Sequence, residues 1–138
     1  MAITSAVTNT FKAEMLKGLH SFDTSGATPA GNVFKIALYT SSATLGTTTT
    51  AYSATNEISG SGYSAGGNTL TNTGVGTSTT TSFTARGCLI YNSSSVTGLT
   101  TNAAVCAVDF GGDKTVSSGT FTIQFPTNDS SSAIIRLS

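Results

Sequence analysis

Histidine, acidic and cysteine side chains are the groups best able to do chemistry in this 138-residue sequence, and they are few. His20 is the only histidine. It follows Gly18 at the end of a helical pattern, where an imidazole can meet free backbone carbonyls, so a capping or surface role is expected of it. Serines are abundant, but a nucleophile needs a base and an orienting group. With His20 at a helix terminus, no second histidine supplies that base. The Gly-x-Ser-x-Gly elbow of hydrolases is also absent. Asp109-Phe110-Gly111 spells a metal-binding triplet of kinases, but the other kinase motifs are missing. Asp109 and Asp113 flank a tight turn where a cation could sit. Calcium takes six to eight oxygens, so ordinary turn polarity is the expectation there. Glu57 has no second carboxylate close in sequence to share acid–base work. The glycine-rich run 60–67 lacks both the GxxxxGK[ST] pattern and a nearby cation, and it reads as a turning, flexible loop anchored only by Tyr63.

Cys88 and Cys106 lie in apolar runs and are too few for a disulfide scaffold or a four-cysteine metal site. They are expected to be buried free thiols acting as small hydrophobes. Tyr39, Tyr52, Tyr63 and Tyr91 are the candidates for a sugar-binding surface, set against the commoner use of Tyr between core and solvent or in an interface. No residue is assigned as catalytic, cofactor-binding or metal-binding. Partner contacts are expected from the N-terminal segment and the long loops, without assignment to single residues.

The elements that must position these groups are mostly strands. A helix is expected over about 4–20, capped by Thr4 or Ser5. Its apolar stripe is Val7, Phe11, Met15 and Leu19, with Lys12, Glu14 and Lys17 at the edges or opposite. Residues 23–32 read as a loop. In 33–39, Phe34, Ile36 and Leu38 alternate with Lys35 on the other face, the pattern of a half-buried strand. Residues 40–50, nearly all Ser and Thr, form a loop or a polar edge strand, and 52–58 is a weaker strand candidate. Polar strands are expected at 68–73 and 79–84 around Gly74-Val75-Gly76. Strands follow at 85–91 and 103–110, then a turn at Gly111-Gly112-Asp113-Lys114. Phe121, Ile123 and Phe125 alternate in another strand that Pro126 ends, and a short strand closes the chain at 133–137. The expected fold is mainly β, an antiparallel sandwich or barrel with one N-terminal helix, in one domain over 1–138 with its β-rich body at 33–138.

Composition narrows the function. Only 9% of residues are charged, Lys+Arg and Asp+Glu number six each, and Ser and Thr fill about a third of the chain. Without a basic excess there is no electrostatic footprint for nucleic acid or for an anionic membrane. The opening residues lack the pattern of a signal peptide, and no apolar run approaches a membrane span, so a soluble protein made in a cytoplasm is expected. A net charge of zero favours association over life as a dilute monomer.

Several segments also resemble a group of small virion structural proteins of tailed bacteriophages, including phages of aquatic bacteria. They are residues 1–20, opening Met1-Ala2-Ile3-Thr4-Ser5-Ala6-Val7, and 34–45, with Phe34-Lys35-Ile36-Ala37-Leu38-Tyr39. Residues 56–68, with Gly60-Ser61-Gly62-Tyr63, and 83–92, with Arg86-Gly87-Cys88-Leu89, belong to the same pattern. So do 108–115, with Asp109-Phe110-Gly111-Gly112, and the strand 121–125. Together they span nearly the whole chain. The stretch 74–82 is shorter than in that group, which implies a trimmed strand or loop. The resemblance implies a non-enzymatic structural protein of the particle without cofactors. Its motifs are turn glycines and strand cores, so no catalytic residue carries over. The preferred expectation is a capsid decoration, or cement, protein that binds the major capsid protein on the outer head as a homotrimer. The alternatives are a tail, neck or fibre component bound to tail proteins, or a carbohydrate- or host-binding module.

Overall fold

A computed structural model describes residues 2–22, 31–70, 74–76, 80–127 and 131–132. The expected antiparallel, mainly β architecture with one N-terminal helix is what the chain adopts. The elements are β1 (Ala6–Val7), α1 (Asn9–Leu16), β2 (Phe34–Tyr39), β3 (Asn68–Thr69), β4 (Gly74–Gly76), β5 (Thr81–Asn92), β6 (Ala103–Gly119) and β7 (Thr122–Gln124). Five strands form an antiparallel sheet in the order β1-β6-β5-β2-β3, and β4 pairs with β7 in a two-stranded ribbon.

The helix is shorter than its apolar stripe suggests. Thr8, not Thr4 or Ser5, is the cap, its side chain accepting the Phe11 N–H at 3.1 Å. Val7 belongs to β1, paired with Cys106 of β6, so its apolar side chain serves the sheet instead of the helix. Ser5 instead accepts the Asp109 N–H through its hydroxyl. At the other end Gly18 takes φ +68°, the Gly18 N–H reaches the Met15 carbonyl and the Leu19 N–H reaches that of Glu14. This is the paired-bond termination that a glycine after the last turn permits. Eight residues are too few for an isolated helix to hold in water. Tertiary burial of Phe11, 2% exposed, supplies what the local sequence lacks.

The strand at 34–39 is buried more fully than a half-buried pattern implies. Ile36 and Leu38 join Phe11, Ile58, Phe83, Cys88, Ile90, Val105 and Cys106 in one cluster. Ala37 and Tyr39 join Ile3, Ala43, Leu45, Leu89, Tyr91, Ala104 and Ala107 in a second. Alternate residues of β2 and β5 thus feed two different clusters. The centre of the sheet is covered on both sides, which explains the near-continuous burial of 36–39 and 87–92.

The largest departure from expectation lies in β6. Gly111, Gly112, Asp113 and Lys114 do not turn the chain, because strand pairing continues past them to Gly119. Ala85 faces Lys114 and Gly87 faces Asp109, so two steps along β5 match five along β6. The surplus forms a bulge, with Gly111 at φ +74°. Residues typical of turns therefore sit inside a 17-residue strand.

Residues 52–58 form no strand. They contribute one isolated bridge, Glu57 to Tyr39, and the neighbouring Ala51 bridges Ala103. Residues 40–50 form loop and turns, with Leu45 bridging Ile3 in parallel. Gly74–Gly76, expected as the break between two polar strands, is itself β4, while 68–69 and 81–92 carry the flanking strands. The strand expected at 121–125 is present as β7, and Pro126 lies beyond it. The expected strand at 133–137, most of the loop 23–32 and parts of the polar strands at 71–73 and 79 lie outside the described residues.

Candidate functional site

His20 is not on the surface. Its side chain is fully buried and its ring lies against Phe11, with centroids 4.8 Å apart. Nε2 stands 3.1 Å from Glu14 Oε2, and Nδ1 stands 3.0 Å from the amide nitrogen of Asn92. The amide orientation follows from its other partners. Asn92 Oδ1 accepts the Ser94 N–H, and Nδ2 also donates to Asn32 Oδ1 at 2.9 Å. The network therefore assigns Nδ1 as an acceptor and places the proton of a neutral ring on Nε2, donating to Glu14. Glu14 is buried as well, although the helical pattern sets it at an edge. Its second oxygen accepts the Thr100 N–H at 2.8 Å. Burial pushes this carboxyl up, but the hydrogen bonds from Thr100 and His20 outweigh it and hold it below its ordinary range. A carboxylate–imidazole pair is part of a triad, yet the nitrogen that would take a nucleophile's proton is held by the Asn92 amide. The arrangement ties α1, the segment after it, the end of β5 and the loop at Thr100 together.

The tyrosines converge on Glu57. Tyr52 and Tyr63 donate their hydroxyls to its two carboxylate oxygens, each at 2.6 Å, and the Gly66 N–H adds a bond of 2.8 Å to Oε1. The Tyr63 hydroxyl also accepts the Leu38 N–H at 2.9 Å, satisfying a strand donor that β3 is too short to reach. Tyr91 donates to the Gly66 carbonyl, Tyr39 donates to that of Ser53, and the rings of Tyr52 and Tyr91 stack at 4.7 Å. Burial raises all four phenols, and Glu57 raises them further by its charge or by accepting their bonds; Tyr52 is pushed up to about 12. Tyr39 and Tyr91 are buried and the other two half-buried, so the quartet does not form an exposed aromatic platform. The loop 60–67 has more anchors than Tyr63. Gly67, at φ +68°, lies so close to the Ile36 carbonyl that a Cβ would overlap it, and Ser61 bridges Ser82.

Asp109 pairs with Arg86 at 2.8 Å, and its Oδ1 also accepts the Gly111 N–H inside the bulge. The bond from Arg86, with that from Gly111, holds its carboxyl low. The structure thus spends Asp109 on an ion pair and a backbone bond. Among the described residues no group of three or more His, Cys, Asp or Glu is placed to hold a metal ion. Cys88 and Cys106 are free and buried in one cluster, as the sequence implies. Burial raises both thiols, that of Cys106 to about 12. Among the described residues, no helix is long and apolar enough to cross a membrane.

Two kinds of surface remain. Leu16 is 91% exposed, Phe22 54% and Val33 46%. All three lie on the stretch that leaves α1 and enters β2, with Phe22 stacked on Phe34 at 4.8 Å. Leu16 falls outside the apolar stripe of the helix, the one signal in the sequence that it lacks a place in the core. A depression of about 460 Å³ lies over the 43–56 loops, with Tyr39 at its base. A second of about 320 Å³ lies between Ser93 and Asn102. Tyr52, Glu57 and Tyr63 lie within one segment, five and six residues apart, but that segment carries no strand or helix period to signal their bonding, whereas His20 and Asn92, 72 positions apart, meet only in the fold. No family model, curated protein or solved structure matches the chain.

Proposed function

We propose that this chain is a structural, non-catalytic protein of a tailed-phage particle, and in the preferred reading a capsid decoration protein. The observation that carries the reading is the trio of large apolar side chains, Leu16, Phe22 and Val33, left in water on the N-terminal stretch. Large apolar side chains left exposed in this way are available to be covered by a partner, which is how interaction sites use apolar surface. Here it falls within a neutral chain with only 9% charged residues, where self-repulsion is weak. The segments resembling small virion proteins include the helix that bears Leu16. A trimer is the form that suits the local three-fold positions of a head lattice.

A protein that binds the assembled shell and not its free subunits stabilises the shell by linkage. Heads lacking this protein should lose infectivity or contents at lower temperature and lower chelator concentration than complete heads, and added purified protein should restore both. Substituting Leu16 and Phe22 by Ser should abolish the restoration while leaving the fold intact by circular dichroism. Equal resistance of depleted and complete heads would refute the decoration reading.

A further inference from the structure

The exposed side of α1 joins apolar surface to positive charge. Phe11 and Glu14 are buried, so the opposite side of the helix, with Lys12, Ala13 and Leu16, faces solvent, and Lys17 follows at the C-cap. Leu16 is 91% exposed, more than any other large apolar side chain among the described residues. Lys12 stands four residues before it, about one turn away on the same side, and Lys17 is the next residue. The leucine is therefore flanked by two exposed ammonium groups.

The helix does not neutralise these charges. Its one carboxylate, Glu14, is 5% exposed and is turned inward to His20 and the Thr100 N–H. Asp109 is held by Arg86, and Glu57 by Tyr52 and Tyr63. Among the described residues, neither Lys12 nor Lys17 has an ion-pair partner. In a chain with a net charge of zero and 9% charged residues, this face carries a local positive charge. It is also held in place. The Thr8 hydroxyl ties the helix start to the Ala104 carbonyl of β6, and Glu14, His20 and Asn92 tie the helix and the segment after it to β5. A partner would meet a surface already formed, with little ordering cost.

We propose that this helix face docks onto an acidic protein surface, an apolar pocket that takes Leu16, rimmed by carboxylates that pair with Lys12 and Lys17. The inference rests on the particle reading and gives the docking surface of the shell that chemistry. A neutral rim would leave the two charges without partners, and a basic rim would repel them. A nucleic acid would meet only two cations here and would leave the leucine uncovered. A membrane surface needs more buried apolar area than one leucine on an eight-residue helix supplies.

The test measures binding of the purified full chain to heads lacking it, by cosedimentation in about 50 mM and about 500 mM NaCl. The parent should bind markedly more weakly at the higher salt. The combined Lys12→Gln and Lys17→Gln variant should bind about tenfold more weakly than the parent at low salt and lose most of the salt dependence. Lys114→Gln removes an exposed lysine of β6 and should bind as the parent does. Leu16→Ser should lose affinity and keep the salt dependence. Circular dichroism should show every variant folded as the parent is. Equal affinity of the double variant and the parent, or an equal loss in Lys114→Gln, would overturn the acidic partner while leaving the shell reading in place. Failure of the parent to bind heads at either salt would remove the shell reading and this inference with it. Preferential binding of the parent to vesicles of phosphatidylserine and phosphatidylcholine would overturn the inference in favour of a membrane surface.

Discussion

Tyr63 does three jobs with one side chain. Its ring packs edge-on against Phe83 at 5.8 Å, and its hydroxyl accepts from a strand amide while donating to Glu57. Tyr63→Phe keeps the ring and deletes both bonds. The Leu38 N–H then loses its partner in a partly dry site and Glu57 Oε1 keeps only the Gly66 N–H, which together cost about 2–3 kcal/mol. Urea unfolding should show that loss as a lower midpoint with an unchanged slope. The same cluster sets the response to alkali. Each tyrosine has a folded value above its ordinary 10.0, through burial first and Glu57 second. The stability tied to them is therefore complete below pH 10 and declines as pH rises toward the folded values. Tyrosinate absorbance should stay small in the native protein near pH 10.5 and then appear together with loss of structure. Full titration of all four rings near pH 10 in the folded state would contradict the cluster. None of this was legible in the sequence. The four tyrosines are scattered over 53 positions, from 39 to 91; the pairing of β2 with β5 brings the strands of Tyr39 and Tyr91 together, and the loop that holds Glu57 and Gly66 adds Tyr52 and Tyr63.

At the scale of elements, legibility followed periodicity. The strands β2 and β5 were visible because apolar residues run or alternate through them, and the start of β6 for the same reason. The length of β6 was hidden, since Gly111, Gly112 and Asp113 carry turn chemistry that the chain uses for a bulge. The helix was visible from Phe11 and Met15 and its end from Gly18. Its start was misplaced because Val7 continues the four-residue spacing while belonging to a strand. Thr8 resolves that boundary. Its hydroxyl accepts from Phe11 and donates to the Ala104 carbonyl at 2.5 Å, joining the helix start to β6. Thr8→Val removes both bonds from a fully buried position at nearly constant volume, and should cost about 2–3 kcal/mol in urea unfolding. Thr8→Ser keeps the hydroxyl and should recover at least half of that loss. Equal stability of Thr8→Val and the parent would mean that the cap contributes nothing.

The molecule has a sheet covered near its centre on both sides, and among the described residues its exposed large apolar side chains are Leu16, Phe22 and Val33. The β class followed from strand patterning, whereas the exposed trio could not be read from residue type, because Leu, Phe and Val ordinarily go inside. Low charge and a net charge of zero leave weak repulsion between copies, which fits the proposed place in a regular shell. The most direct test is the copy number and position of the chain in purified particles, by cryo-electron microscopy together with gel densitometry against the major capsid protein. A decoration protein should occupy regular lattice positions over the head in copy numbers on the order of hundreds, with local symmetry giving its oligomer. A handful of copies at one vertex would contradict decoration and move the chain to the tail or its fibres, and absence from the particle would contradict the virion role altogether.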